Sequence, residues 1–190
     1  MKLVILPLYL LALLLGPVAL WSQEMPVPIE VQYPLFLKII TFDKNLSERC
    51  KDEIIIGIVY QQNFKQSLDV MKELVEVIEK GPVQKIMDKP IRYVLINLDV
   101  HNLEKRVQEQ DVHLLYIAPL RAESIEKISQ IADKYDILTL SGVPEYIAKG
   151  LAVGLQIEGK KPKVLINNKV ALQENVVFNS QILKLAKVIE

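Results

Sequence analysis

The sequence predicts an α/β fold with a mostly parallel sheet flanked by helices, closed by a C-terminal β-hairpin and a terminal helix. Three observations predict it. Short apolar runs rich in β-branched residues, at 53–60, 91–98, 112–117 and 137–140, alternate with segments whose apolar residues recur at helical spacing. The intervening stretches are long enough for helical crossovers, which parallel strands require and hairpins do not. Beyond Gly150, two further β-favouring runs at 151–157 and 163–166 are separated by Glu158-Gly159-Lys160-Lys161-Pro162, a polar connection of hairpin length.

The elements follow in chain order. Residues 24–28, EMPVP, read as an extended lead-in because proline disfavours helix at the position before it. PLFLKIITF, 34–42, reads as a helix opened by Pro34 and stopped near Asp43-Lys44-Asn45, and it is apolar on nearly every side. Two placements fit it: a helix sandwiched between the sheet and a loop, or one with a second face at a dimer or partner surface. EIIIGIVY, 53–60, suits a strand buried on both faces. A helix over 64–80 follows, with Leu68, Met71, Leu74, Val75 and Ile78 in its stripe and Gly81-Pro82 at its end. The order then repeats: strand 91–98, short helix 103–110, strand 112–117, helix 122–135 and strand 137–140. Ser141-Gly142 breaks that last strand before Pro144 opens a short helix, and Gly150 stops it. The terminal helix is expected over 179–189, with Asn179 or Ser180 as its cap.

The chain has 190 residues, with 23 basic and 23 acidic side chains. Residues 1–22 read as an export signal, with Lys2, an apolar run from Leu3 to Leu20, and Ser22 as the small residue before cleavage. An uncleaved anchor is the rival reading, but Pro7 and Gly16-Pro17 interrupt a continuous spanning helix. The expected mature unit is one domain over 23–190, with 22 basic against 23 acidic residues. That balance offers no electrostatic footprint for nucleic acid. Cys50 is the only cysteine, so an internal disulfide is excluded and a buried free thiol or an intermolecular bond remains.

No residue constellation announces chemistry. His101, His113 and Cys50 fall on separate elements, so no metal spacing is present and no cofactor is expected. Ser141 lies on a strand-to-helix turn, but LSGVP lacks the flanking glycines of a nucleophile elbow and reads as a turn hydroxyl. Neither phosphate-cradling glycine motif appears. Asp99 follows a strand, where an aspartate holds a ribose or a metal or caps the next helix, here near Asn102 or Leu103. In open sheets ligands bind beyond the carboxyl ends of the strands, which puts Gln61-Gln62-Asn63, Asp99, Pro119-Leu120-Arg121 and Ser141-Gly142 around a candidate crevice. Gln61, Arg121 and Ser141 are its candidate ligand groups.

Several stretches resemble the YfiR-like family of exported bacterial proteins, which includes the HmsC-type regulators. They are LFLKIITFDKNL, IIIGIVY, LLYIAPLR, and above all LTLSGVPEYIAKGLAVGLQIEGKKPKVLINNKVALQENVVFNSQILKLAKVI. The resemblance implies a periplasmic, non-catalytic α/β domain, some members of which bind and restrain an inner-membrane diguanylate cyclase and so control cyclic di-GMP and biofilm formation. Leu37, Ile40 and Phe42, on the all-round apolar helix, are then candidate partner contacts. Two departures stand out. Cys50 alone cannot reproduce the paired-cysteine redox switch of some members, and residues 65–89 diverge from those regulators. A small-molecule carrier or sensor using the crevice is the second reading, and a hydrolase using Ser141 a formal third.

Overall fold

The computed structural model describes residues 24–189, so the predicted export segment lies outside the described residues. Eight strands form one sheet: β1 Ile54–Tyr60, β2 Lys85–Ile86, β3 Lys89–Asn97, β4 Leu114–Ile117, β5 Leu138–Ser141, β6 Val153–Glu158, β7 Lys161–Asn167 and β8 Lys187–Ile189. Their spatial order is β2-β3-β1-β4-β5-β6-β7-β8. Pairing is parallel from β3 through β6 and between β7 and β8, and antiparallel at β2–β3 and in the β6–β7 hairpin.

The described helices are α1 Ile29–Ile40, α2 Leu46–Arg49, α3 Lys65–Lys80, α4 Leu103–Glu109, α5 Ile125–Lys134, α6 Glu145–Ala148, α7 Asn168–Gln173 and α8 Ser180–Leu185. They cover both faces, because β1, buried along its whole length, alternates its side chains between two cores. Ile54, Ile56 and Ile58 pack with α1, α3, α7 and α8, whereas Ile55 and Val59 pack with α4, α5 and α6.

The opening helix starts earlier than the sequence suggests, at Ile29. Pro28 is its N-cap, and the Pro28 carbonyl accepts from Val31 N–H (3.0 Å) and Gln32 N–H (2.9 Å). Pro34 therefore sits inside the helix, where it lacks an N–H to donate one turn back. Its exposed position lets water satisfy the freed carbonyl. The all-round apolar character is explained by burial on more than one side. Leu37 is 5% exposed and Ile40 0%, packed among Tyr33, Phe36, Ile56 and Leu74. Of the three candidate contacts only Phe42, just past the helix and half-buried, keeps a surface, with Lys38 Nζ 5.4 Å from its ring centre. Leu37 and Ile40 are core side chains, as in the sandwiched placement, the first of the two that the sequence allows.

The other differences have local causes. β2 is joined to β3 by Met87-Asp88, both at positive φ (50° and 66°), the backbone of a tight hairpin turn made without glycine. Helix α5 begins at Ile125 instead of 122, because Ala122 adopts φ 55° and the Ser124 hydroxyl caps by accepting from Lys127 N–H (3.2 Å). Helix α7 was not foreseen; the Asn167 side chain caps it by accepting from Val170 N–H (3.2 Å). The terminal helix stops at Leu185, where Ala186 turns extended (ψ 161°) and the chain joins the sheet as β8. The otherwise open edge of β7 offers a row of backbone partners, and ladder pairing there replaces further helix.

Two buried polar contacts lock the fold together. Arg49 donates to Asp43 Oδ2 (2.8 Å) and to the Asp136 carbonyl (3.1 Å), while Asp43 Oδ1 accepts from Asn45 N–H (3.0 Å) and Val177 N–H (3.1 Å). The opening segment, the start of β5 and the chain before α8 are thus tied at one point. At the second, β5 and β6 diverge, pairing only at Leu140–Val153 and Ser141–Gly154. Buried Glu174 fills the gap, its carboxyl accepting from Thr139 N–H (2.9 Å) and the Thr139 hydroxyl (2.6 Å). That hydroxyl in turn accepts from Ala152 N–H (2.8 Å).

Candidate functional site

β1 leads to β3 on one side, and the chain then crosses back to β4 on the other, so the winding reverses beside β1. The loops after β1 and β4 leave the sheet there, at the position where ligands of open α/β sheets bind. Two of the three predicted crevice residues meet at that position. Gln61 Oε1 accepts from Arg121 N–H (2.6 Å), and the Arg121 guanidinium lies 4.2 Å from the centre of the Phe64 ring. Gln61 N–H donates to the buried Ser67 hydroxyl on α3 (3.0 Å), which fixes the start of the loop.

Ser141 does not reach this position. It is 0% exposed, donating to the Ile117 carbonyl (2.8 Å) and accepting from Val143 N–H (3.1 Å). Both roles of its hydroxyl are used within the turn, so the residue shapes the β5–α6 corner. At the same corner Gly142 lies so close to the Gln32 amide that a Cβ would overlap it. Gln32 is itself held by the Val27 carbonyl (2.6 Å) and the Tyr116 hydroxyl (3.0 Å).

A polar network that the sequence did not reveal adjoins this position. Buried Asn97, at the end of β3, accepts from Gln62 N–H (3.3 Å) and Asp99 N–H (3.0 Å) and donates to Gln62 Oε1 (3.1 Å). Asp99 neither caps α4, a role Asn102 fills, nor stands free: it accepts from Asn63 N–H (2.7 Å). His101 Nδ1 accepts from Asn97 N–H (3.1 Å). Side-chain amides in sequence look like ordinary surface residues, which hid the network. Next to it a cavity of about 290 Å³ opens between α4 and α5, bordered by Leu98, His101, Asn102, Ser124, Lys127 and Ile131.

The opposite, amino-terminal edge of the sheet carries a larger polar cleft of about 530 Å³, bordered by Arg49, Asp52, Asp111, His113, Tyr135 and Asp136. Its His113 Nδ1 accepts from Ile55 N–H (3.1 Å), and burial holds the imidazole below its ordinary pKa, favouring the neutral acceptor form. Cys50 is fully buried and its thiol is pushed up to about 11 by desolvation, so the reactive thiolate is suppressed. No group of three or more His, Cys, Asp or Glu among the described residues is arranged to hold a metal ion.

These features define a doubly wound α/β protein with a polar cluster at its switch point. Over residues 51–187 the chain matches the family described as YfiR/HmsC-like, and it belongs to that family. No curated protein matches it. Among solved structures it is similar to a conserved domain protein from Vibrio cholerae O1 biovar El Tor, at 14% identity and a TM-score of 0.58, covering 86% of this chain and 60% of that one. It is also similar to the ABC domain in complex with L-Trp from Streptococcus pneumonia (13% identity, TM-score 0.56, 85% and 60% covered). A third likeness is to the ligand-free, open structure of CD0873, a substrate-binding protein with adhesive properties from Clostridium difficile (14%, TM-score 0.52, 77% and 58%). The chain thus spans about three-fifths of the length of these structures, and at such identities the likeness is one of fold.

Proposed function

We propose that this chain is a periplasmic, non-catalytic regulator that binds and restrains an inner-membrane signalling protein, in the first instance a diguanylate cyclase. Membership of the YfiR/HmsC-like family carries this reading. The apolar run before Gln23 supports export, and no described helix is long and apolar enough to cross a membrane. The test is cellular cyclic di-GMP in a strain lacking the protein, beside its parent and a complemented strain. A rise reversed by complementation is expected; an unchanged level removes the cyclase from the proposal.

A second reading, a small-molecule sensor, is favoured by the Gln61–Arg121–Phe64 cluster at the switch point. Ala122, beside it, is held at φ 55°, the kind of backbone strain that concentrates at ligand sites. Two of the similar structures are described as an L-Trp complex and as a substrate-binding protein. Arg121 would pair with a carboxylate or phosphate while Phe64 stacks on an apolar group. A metabolite at a hundred times its dissociation constant should stabilise the protein by ~2.7 kcal/mol, a thermal shift that Arg121→Ala removes. No shift across a library of periplasmic amino acids and phosphates would end this reading.

A further inference from the structure

We propose that the β8 edge of the sheet is a docking site for an extended, acidic segment of a partner protein, which adds to the sheet as a ninth strand. The proposal rests on the regulatory reading above and gives it a surface.

β8 ends the strand order and, among the described residues, pairs with β7 on one side only, so its other side presents a row of backbone donors and acceptors. Such an edge selects an extended peptide, because the ladder supplies main-chain hydrogen bonds at strand spacing. Beside it runs a groove of about 600 Å³ bordered by Asn168, Lys169, Leu172, Gln173, Val188 and Ile189. Leu172 is 53% exposed, Val188 44% and Leu185, just before the strand, 62%. β8 is three residues long and carries Lys187, both ordinary guards of an edge, but the apolar groove beside it is not a guard. Here the apolar surface is continuous with the edge, as a receptor for alternate side chains requires.

Charge specifies the occupant. Residues 158–190 contain six lysines, at 160, 161, 163, 169, 184 and 187, against three acids, Glu158, Glu190 and Glu174, the last of them buried. None of the six takes part in the ion pairs found among the described residues. Lys169 borders the groove and Lys187 lies in β8, so glutamates or aspartates alternating with apolar residues would meet both the field and the groove. A second copy of the chain would instead bring its own lysines against these, which like charge disfavours.

The probe is an acetylated peptide alternating glutamate with valine, titrated into the isotope-labelled protein and followed by amide NMR. Shifts confined to Lys187–Ile189 and the facing α7 are expected, with about tenfold weaker binding for Val188→Glu, a change on the scale of one edge contact or charge reversal. Leu172→Glu, on the exposed face of α7, should weaken binding similarly and serves if the first variant does not fold. A peptide N-methylated at alternate amides keeps charge and side chains but cannot complete the ladder, so its equal binding would overturn strand addition. Val188-dependent association with phosphatidylglycerol vesicles but not with the peptide would assign the surface to a membrane. Val188-dependent self-association in sedimentation would assign it to a second copy, and either result overturns the proposal. The regulatory reading fails separately, if cyclic di-GMP is unchanged in the deletion strain whatever the peptide does.

Discussion

Between pH 5 and 8 the parent protein is expected to lose stability relative to its Glu174→Gln variant. The carboxyl of Glu174 is enclosed, and desolvation pushes its pKa from 4.5 up to about 8, against the opposing effect of its hydrogen bonds to Thr139 and the nearby charge of Arg49. Its folded pKa lies above its unfolded one, so the folded state holds an extra proton between those values. The stability this contributes is fully present below about 4.5 and is lost as pH rises through about 8. A shift of this size corresponds to about 3–5 kcal/mol across the window. Glutamine keeps both the shape and a donor and acceptor for Thr139, so subtracting its urea-denaturation profile from that of the parent isolates the titration. His113, whose pKa is lowered, gives the opposite slope, with stability falling as pH drops, and cancels in the subtraction. Parallel profiles would mean that Glu174 is ionised in the folded protein. Because Glu174 stitches β5 to β6 through Thr139 and Ala152, opening should begin at that seam, where protection of the Thr139 and Ala152 amides, corrected for the intrinsic base-catalysed rate, would fall with pH in the parent and not in Glu174→Gln.

The second large effect belongs to Leu37. Replacing it by aspartate should abolish cooperative folding. The side chain is 5% exposed and lies among Tyr33, Phe36, Ile40, Ile56 and Leu74, shielded from the water that would solvate a carboxylate. Truncating a buried leucine alone costs about 2–5 kcal/mol. Burying the carboxyl, protonated or not, adds at least ~2 kcal/mol. Together these approach the whole stability of an ordinary domain, ~5–15 kcal/mol. Leu37→Met should cost under ~1.5 kcal/mol, since it keeps volume and polarity. Lys38→Gln, one residue along on the exposed side, should change stability by less than ~1 kcal/mol. A folded Leu37→Asp with a normal melting transition would return this residue to the surface.

Residues 34–42 show where sequence reasoning stops. Their composition is apolar on all sides, and that alone fits both a sandwiched helix and an interface helix. Only packing against α3 and the first β1 face shows that Leu37 and Ile40 are enclosed while Phe42 is not. The candidate crevice divides in the same way. Gln61 and Arg121 were legible because both follow strands that flank the winding reversal, and a rule of position finds such residues. Ser141 obeyed the same rule but belongs to the next strand, where the turn consumed its hydroxyl. Gln62 and Asp99 were legible by the same rule, but Asn97, which joins them, went unread, because an amide side chain carries no signal until a partner such as Gln62, more than thirty residues away, is placed.

The sequence by itself determined the alternation of strand and helix, the doubly covered β1, the C-terminal hairpin and the family. Each of these follows from local periodicity or from a long run of matching residues. Tertiary structure decided what depends on distant partners: that Pro34 lies inside a helix, that Met87-Asp88 makes a turn without glycine, and that the last residues form a strand instead of helix. The residues 187–189 have no strong preference of their own at that length. The open edge of β7 settles them, because backbone groups left unpaired there cost more than ending the helix at Leu185.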